Sequence, residues 1–268
     1  MNAAPLSPAL SQLGSFVRQH DPDRFLCALF APAMQREALF ALLAYNHELA
    51  RAREVASQPM LALIRLQWWR EVVENAAEGR PARQHEVAAP LHALVAAGTL
   101  AAEDLLAMAD AREAEAEESI PTGAAFAAYL RGSAGGVALA TARLLGAQGA
   151  VLAAVQRAGA LYGLAGVLRS VAARAGQGRC LLPEDALAEA GLTPHDVIAE
   201  PARALPVVQM LAREGLAAAP PRPPGLAAAT LPLVLARRDL SRLVRGASMP
   251  ASRGLGDRLA VIWAGLSG

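Results

Sequence analysis

The stretch Met34 to Glu54, MQREALFALLAYNHELARARE, contains neither glycine nor proline, and Leu39, Leu42, Leu43, Tyr45 and Leu49 recur along it at helical spacing. That spacing predicts a helix over 34–54. Working outward, Ser57 is placed to cap a second helix with Pro59 in its first turn. Leu61, Ile64 and Trp68 carry its apolar pattern until Gly79-Arg80-Pro81 ends it. Further helices are predicted near 86–97, 101–118 and 123–145, the last interrupted by Gly132, Gly135 and Gly136, and near 148–174. Gly176-Gln177-Gly178 and Leu182-Pro183 then turn the chain. Ten of the 18 prolines lie beyond residue 180, so shorter helices joined by rigid loops are expected there, and the proline-rich bend at 219–225 reads as an interhelical loop.

Composition supports the same fold class. The 268 residues are 54% hydrophobic but only 4% aromatic, and 64 are alanine, so strand-favouring residues are outnumbered by a strong helix former. An all-α protein follows, and its apolar content excludes a disordered chain. A net charge of +1 provides no field to attract nucleic acid. All 25 basic residues are arginine, a set that a GC-rich coding bias explains and that also suits planar recognition of carboxylate or phosphate. Cys27 and Cys180 lie far apart, outside any zinc or disulfide pattern, which favours a reducing compartment. The N-terminus lacks a secretory pattern, and the uncharged apolar stretch 87–102 is too short to span a bilayer. A cytoplasmic protein is expected, with a peripheral contact to the inner membrane left open.

Three pieces, in order, resemble the squalene/phytoene synthase family. Arg36-Glu37-Ala38-Leu39-Phe40-Ala41-Leu42-Leu43-Ala44-Tyr45 is similar to its R-x-A-x-x-A-L-Y-A-F, and Leu66-Gln67-Trp68-Trp69-Arg70-Glu71 to its L-x-W-W-R-E. Tyr129 to Gly136, YLRGSAGG, echoes Y-x-x-x-V-A-G-x-V-G. Gly166-Val167-Leu168-Arg169-Ser170-Val171, followed by Gly178-Arg179-Cys180-Leu181-Leu182-Pro183, resembles N-I-L-R-D-V and G-R-x-Y-L-P with the family's spacing. The resemblance implies a single isoprenoid-synthase-like helical bundle around a central cavity, over residues 22–268 after an N-terminal extension at 1–21. In active members, aspartates on two facing helices hold magnesium against the substrates' diphosphates.

Carboxylates four residues apart on a helix point the same way and make a two-toothed anchor for magnesium. Laid on this chain, the first motif falls on Ala50 to Glu54 and the second on Ser170 to Arg174. Only Glu54 keeps an acid, Arg174 brings a positive charge, and Gly166 stands where an asparagine often precedes the second motif. No catalytic or metal residue is therefore assigned, and Mg2+ is expected only if the chain is an enzyme after all.

The candidate ligand-pocket residues are His47, Arg51, Glu54, Tyr129, Arg131, Gly166, Arg169, Ser170 and Arg174. Arg51 could take a phosphate directly, or form an exposed pair with Glu54. Arg131, Arg169, Arg174 and Arg179 could surround an anion, or be structural helix-terminal arginines. Tyr129 reads as a packed core or cavity residue. The acidic run Asp110, Glu113, Glu115, Glu117 and Glu118 reads as a solvated helix face. Of Trp68 and Trp69, one should enter the core while the other lies at its edge. Gly159, Gly163 and Gly166 read as a strip for close helix packing.

The pattern N-H-E-L-A-R-A-R-E followed by I-R-L-Q-W-W-R-E resembles the branch of the family that includes the mitochondrial assembly factor for respiratory complex I and lacks the aspartates. The expectation is a bacterial, non-catalytic member acting by binding, with a respiratory-complex subunit, an isoprenoid lipid or a membrane surface as partner. The alternatives are a prenyltransferase of isoprenoid biosynthesis using allylic diphosphates, and an isoprenoid lipid carrier.

Overall fold

The computed structural model describes residues 10–56, 58–117, 119–247 and 253–267. Helices in chain order are α1 (Gln12–His20), α2 (Pro22–Ala28), α3 (Ala33–Glu54), α4 (Pro59–Ala77), α5 (Ala88–Ala96), α6 (Ala102–Ala111), α7 (Gly123–Gly132) and α8 (Ala134–Leu144). They continue with α9 (Val151–Arg169), α10 (Val171–Ala175), α11 (Glu184–Glu189), α12 (Pro194–Ala199), α13 (Leu205–Ala217), α14 (Ala227–Thr230), α15 (Pro232–Val244) and α16 (Leu255–Leu266). Short 3-10 turns at Arg112–Glu115 and Pro201–Ala204 extend α6 and precede α13. Among the described residues there is no strand, only an isolated bridge between Ile120 and Pro183.

The 34–54 stretch is a helix as its spacing predicts, and it lies at the centre. Every residue from Ala38 to Asn46 is buried, which removes the polar face a surface helix would keep. Around it, α4, α5 and α6 complete one core; α7, α9, α13 and α15 build a second. Trp69 is buried, edge-on to Tyr45 at 5.5 Å, while Trp68 sits half-buried at the rim. The Tyr45 hydroxyl donates to the Leu105 carbonyl at 2.9 Å, so the ring brings no unpaired polar atom inside.

The α8–α9 crossing explains two of the three strip glycines. A Cβ on Gly159 would lie 2.5 Å from that of Ala138, and one on Gly163 would lie 2.8 Å from that of Ala134. Gly166 differs: it is exposed, and a Cβ there would meet nothing within 4 Å. By length and composition α9 is apolar enough to cross a membrane, which a count of uncharged residues missed because Arg157 interrupts it. It packs here between α8 and α15.

Ser57, expected to cap α4, lies outside the described residues; Gln58 precedes Pro59 at that helix start without a side-chain cap bond. Residues 12–20 of the expected N-terminal extension form α1, whose Leu13 and Val17 are buried in the first core. Beyond residue 180 short helices do occur, yet α13, α15 and α16 run 12 to 13 residues, because Pro206 and Pro232 fall in first turns where no N–H is needed. The 219–225 bend is an interhelical loop, tied down by Arg237 to the Pro220 carbonyl at 2.6 Å and by Arg222 to the Ala264 carbonyl at 2.8 Å. Both cysteines are free and buried, and burial pushes both thiols up.

Candidate functional site

The space between α3, α8, α9 and α14, where the resemblance expects a cavity, is almost filled. Leu39, Leu43, Val137, Ala138 and Tyr162 close around about 20 Å³, room for a single water. Arg24 contributes to this closure, its guanidinium lying 4.7 Å from the centre of the Tyr162 ring.

A buried polar cluster lies where α3 meets the Arg112–Glu115 turn and α7. Glu115 is 2% exposed, and its Oε1 accepts from Arg112 Nη1 at 2.5 Å and from the Tyr129 hydroxyl at 2.5 Å. Arg112 also donates to Asn46 Oδ1 at 3.1 Å, joining the cluster to α3. Arg179 donates to the Glu115 carbonyl at 3.1 Å, leaving its Nη1 buried without a partner, and Arg53 Nε is in the same condition. Burial alone would raise the Glu115 carboxyl; Arg112, Arg174 and the two hydrogen bonds instead hold it below the usual carboxylate range. Tyr129 is pushed up by burial and by the adjacent carboxylate, so it stays a neutral donor.

A second cluster joins the two ends of the chain. Arg253 donates to Asp23 at 2.9 Å and to Asp239 at 2.5 Å, and Arg169 donates to Asp239 at 3.2 Å. Asp257 accepts from Arg238 at 2.7 Å and from Arg242 at 2.7 and 3.0 Å, which keeps its carboxyl near pKa 2 in spite of burial. Beside this network opens a cleft of about 610 Å³ lined by His20, Asp21, Phe25, Arg169, Arg253 and Arg258 among others.

The nine candidate residues are therefore dispersed. His47 packs beneath α1, stacked on His20 at 4.6 Å and edge-on to Phe16 at 5.3 Å. Desolvation, then His20 and Arg51, lowers it to about 4. Arg51 is paired at 3.4 Å, but with Glu48, one helical turn earlier, and not with Glu54; Glu54 is exposed. Tyr129 is in the core, as expected. Arg131 is exposed on α7, apart from any anion cluster. Gly166 faces open space, Arg169 belongs to the Asp239 network, and Ser170 accepts from Arg174 Nε at 3.0 Å while donating to the Val167 carbonyl. Of the four arginines considered around an anion, only Arg174 and Arg179 lie together, both beside Glu115.

The acidic run divides. Asp110 and Glu113 are exposed and pair with Arg70 of α4, whereas Glu115 is internal; Glu118 lies outside the described residues. A solvated face therefore describes Asp110 and Glu113 but not Glu115. The spacing Leu105, Met108, Arg112, Glu115 continues the buried stripe of α6 and was the available signal.

The positions aligned with the magnesium clamp do not fit that ion. Ala50 has no ligand atom, Glu54 is exposed, the Ser170 hydroxyl is already bonded on both sides, and Arg174 is a permanent cation. Among the described residues, no group of three histidine, cysteine, aspartate or glutamate side chains is placed to hold a metal.

The squalene/phytoene synthase family profile matches residues 17–247. NADH dehydrogenase (ubiquinone) complex I, assembly factor 6 of Homo sapiens is 35% identical over 97 residues, 36% of this chain and 29% of that protein. The Mus musculus protein of that name is 26% identical over 184 residues, 68% of this chain and 55% of that one. The chain thus spans under a third of the human relative and about half of the mouse one. Among solved structures, a dehydrosqualene synthase with bound ligand superposes with a TM-score of 0.75 at 13% identity, over 95% of this chain and 94% of that one. Squalene synthase HpnC from Alicyclobacillus acidocaldarius gives 0.61 at 19% identity, over 95% and 93%. These likenesses show the all-α isoprenoid-synthase fold.

Proposed function

The chain belongs to the squalene/phytoene synthase family, and from that premise we propose that it is a member without prenyltransferase activity that acts by binding, in the assembly of respiratory complex I. The observation that carries this reading is Arg174. A cation stands at a position that would have to contribute a carboxylate, and its guanidinium is engaged by Ser170 and drawn to the buried Glu115. Stabilising a departing diphosphate through magnesium needs paired carboxylates facing the substrate, and these positions cannot supply them. The near-filled central space supports the same reading, since pockets for ligands of isoprenoid size occupy about 300 Å³ or more. The central space therefore has no room for an isoprenoid chain, and a lipid carrier would have to use the cleft of about 610 Å³ beside the Asp239 network. The assembly role is supported by the named relatives. The partner class is a respiratory-complex subunit, and the location is the cytoplasm beside the inner membrane.

Incubating the purified chain with farnesyl or geranylgeranyl diphosphate and Mg2+ should release no pyrophosphate above background. Release that disappears in Glu54→Gln would overturn the non-catalytic reading. A deletion strain should lose NADH-linked respiration and regain it on complementation; unchanged respiration would overturn the assembly role.

A further inference from the structure

Helix α16 is inside out. Its single carboxylate, Asp257, is 2% exposed and turned into the bundle, together with Val261, while Leu255, Leu259, Ile262, Trp263 and Leu266 are 36% to 77% exposed. At 100° per residue these five side chains fall within an arc of about 100°, one continuous apolar stripe. An apolar face normally points at the core, so this one is arranged for something outside the protein.

The charges around the stripe say what that is. From Pro232 onward the sequence carries six arginines and two aspartates, a net +4 within a chain of net +1. Both aspartates are buried and paired, which leaves the outer surface cationic. Arg238 lies against Gly256, with its Nη2 3.7 Å from where a Cβ would be, and Arg237, Arg238, Arg242 and Arg245 line a shallow open groove of about 290 Å³ on α15. Arg258 is exposed on α16 itself, and Arg245 is exposed just beyond α15.

We propose that α16 lies in the plane of an anionic phospholipid bilayer, with its leucines and Trp263 in the acyl boundary and the α15–α16 arginines on lipid phosphates. The combination of an apolar stripe, a tryptophan within it and flanking cations is what an interfacial helix requires. A protein partner would satisfy the apolar stripe but gives no reason for the excess of cations beside it, where Arg245 and Arg258 are exposed while Asp21 and Asp23 of the adjoining cleft are paired with Arg24 and Arg253. The inference stands apart from the assembly reading and survives its failure.

The test is flotation of the full chain with vesicles of phosphatidylcholine alone and of phosphatidylcholine mixed with phosphatidylglycerol. The chain should float with the anionic vesicles only and be released by high salt. Leu259→Glu with Trp263→Glu should weaken binding by about tenfold or more, from the lost apolar burial. Arg245→Gln and Arg258→Gln should each weaken it about fivefold. All four side chains are exposed, so circular dichroism and melting of the variants should match the parent. No flotation with either vesicle, or flotation unchanged by the variants, would overturn the proposal. So would a dimer that Leu259→Glu with Trp263→Glu converts to monomer without altering flotation, since a second copy would then be what covers the stripe.

Discussion

The cluster around Glu115 and the one around Asp239 and Asp257 use the same ingredients, buried carboxylates gripped by arginines, but they differ in where the arginines can go. Glu115 and the Arg112 side chain are 2% and 10% exposed, so both members of that pair are sealed inside. Asp239 and Asp257 are as deeply buried, and Arg253 between them is 8% exposed, yet Arg169, Arg242 and Arg238 are 20%, 25% and 40% exposed, so Asp257 in particular is held by cations that reach water. A cation that reaches water on its far side can retreat when its partner is lost; a sealed one cannot. The number of ion pairs says less about the strength of each cluster than the route its cations have to solvent.

The largest expected effect breaks the sealed pair. Glu115→Gln leaves Arg112 buried without a counter-charge, beside Arg174 and Arg179, and should cost about 3–5 kcal/mol in denaturant unfolding. A loss under about 1 kcal/mol would mean that the cluster is wetter than its burial indicates. Asp257→Asn is the matched change at the chain ends. Arg238 and Arg242 swing into solvent, and the expected cost is about 1–3 kcal/mol. If Asp257→Asn proves the more damaging of the two, access to water is not what separates the clusters.

How much of this was legible in the sequence follows the same division. The helices were readable because Leu39 to Leu49 and their counterparts repeat with a period that only a helix satisfies. The missing clamp was readable too, since Ala50 and Arg174 are plain substitutions at aligned positions. The placement of His47, Arg51 and Glu54 was not. The helix period puts them near one face, but which neighbour covers each part of that face depends on α1, whose docking the α3 sequence does not encode. Glu115 was hidden for a related reason: in a run of acids, only its register with Leu105 and Met108 distinguishes the buried one.

A titratable group outside both clusters sharpens the comparison. His47 has its Nε2 buried without a partner, faces His20 and Arg51, and is lowered to about 4 against an ordinary value of 6.5. The folded state therefore binds fewer protons than the unfolded one between those values. Its contribution is fully present above about pH 6.5 and is lost as pH falls toward 4. With solvent screening the effect is on the order of 1 kcal/mol. His47→Leu should flatten the stability profile across that window in urea titrations; an unchanged slope would place the sensitivity elsewhere.

The smallest change tests whether the sealed cluster works as a unit. Tyr129→Phe removes one donor from Glu115 Oε1 while the 2.5 Å bond from Arg112 remains, so the carboxylate keeps both its charge and its main partner. The expected cost is about 1 kcal/mol, that of a single buried hydrogen bond, with the midpoint shifted and the slope of the unfolding curve unchanged. Paired with Glu115→Gln in a double-mutant cycle, it should give a coupling of about 0.5–1.5 kcal/mol, because a neutral amide accepts the phenol less well than a carboxylate does. Zero coupling would mean that the tyrosine is held by packing alone. Its hydroxyl would then be available for another use, whereas the geometry commits it to Glu115.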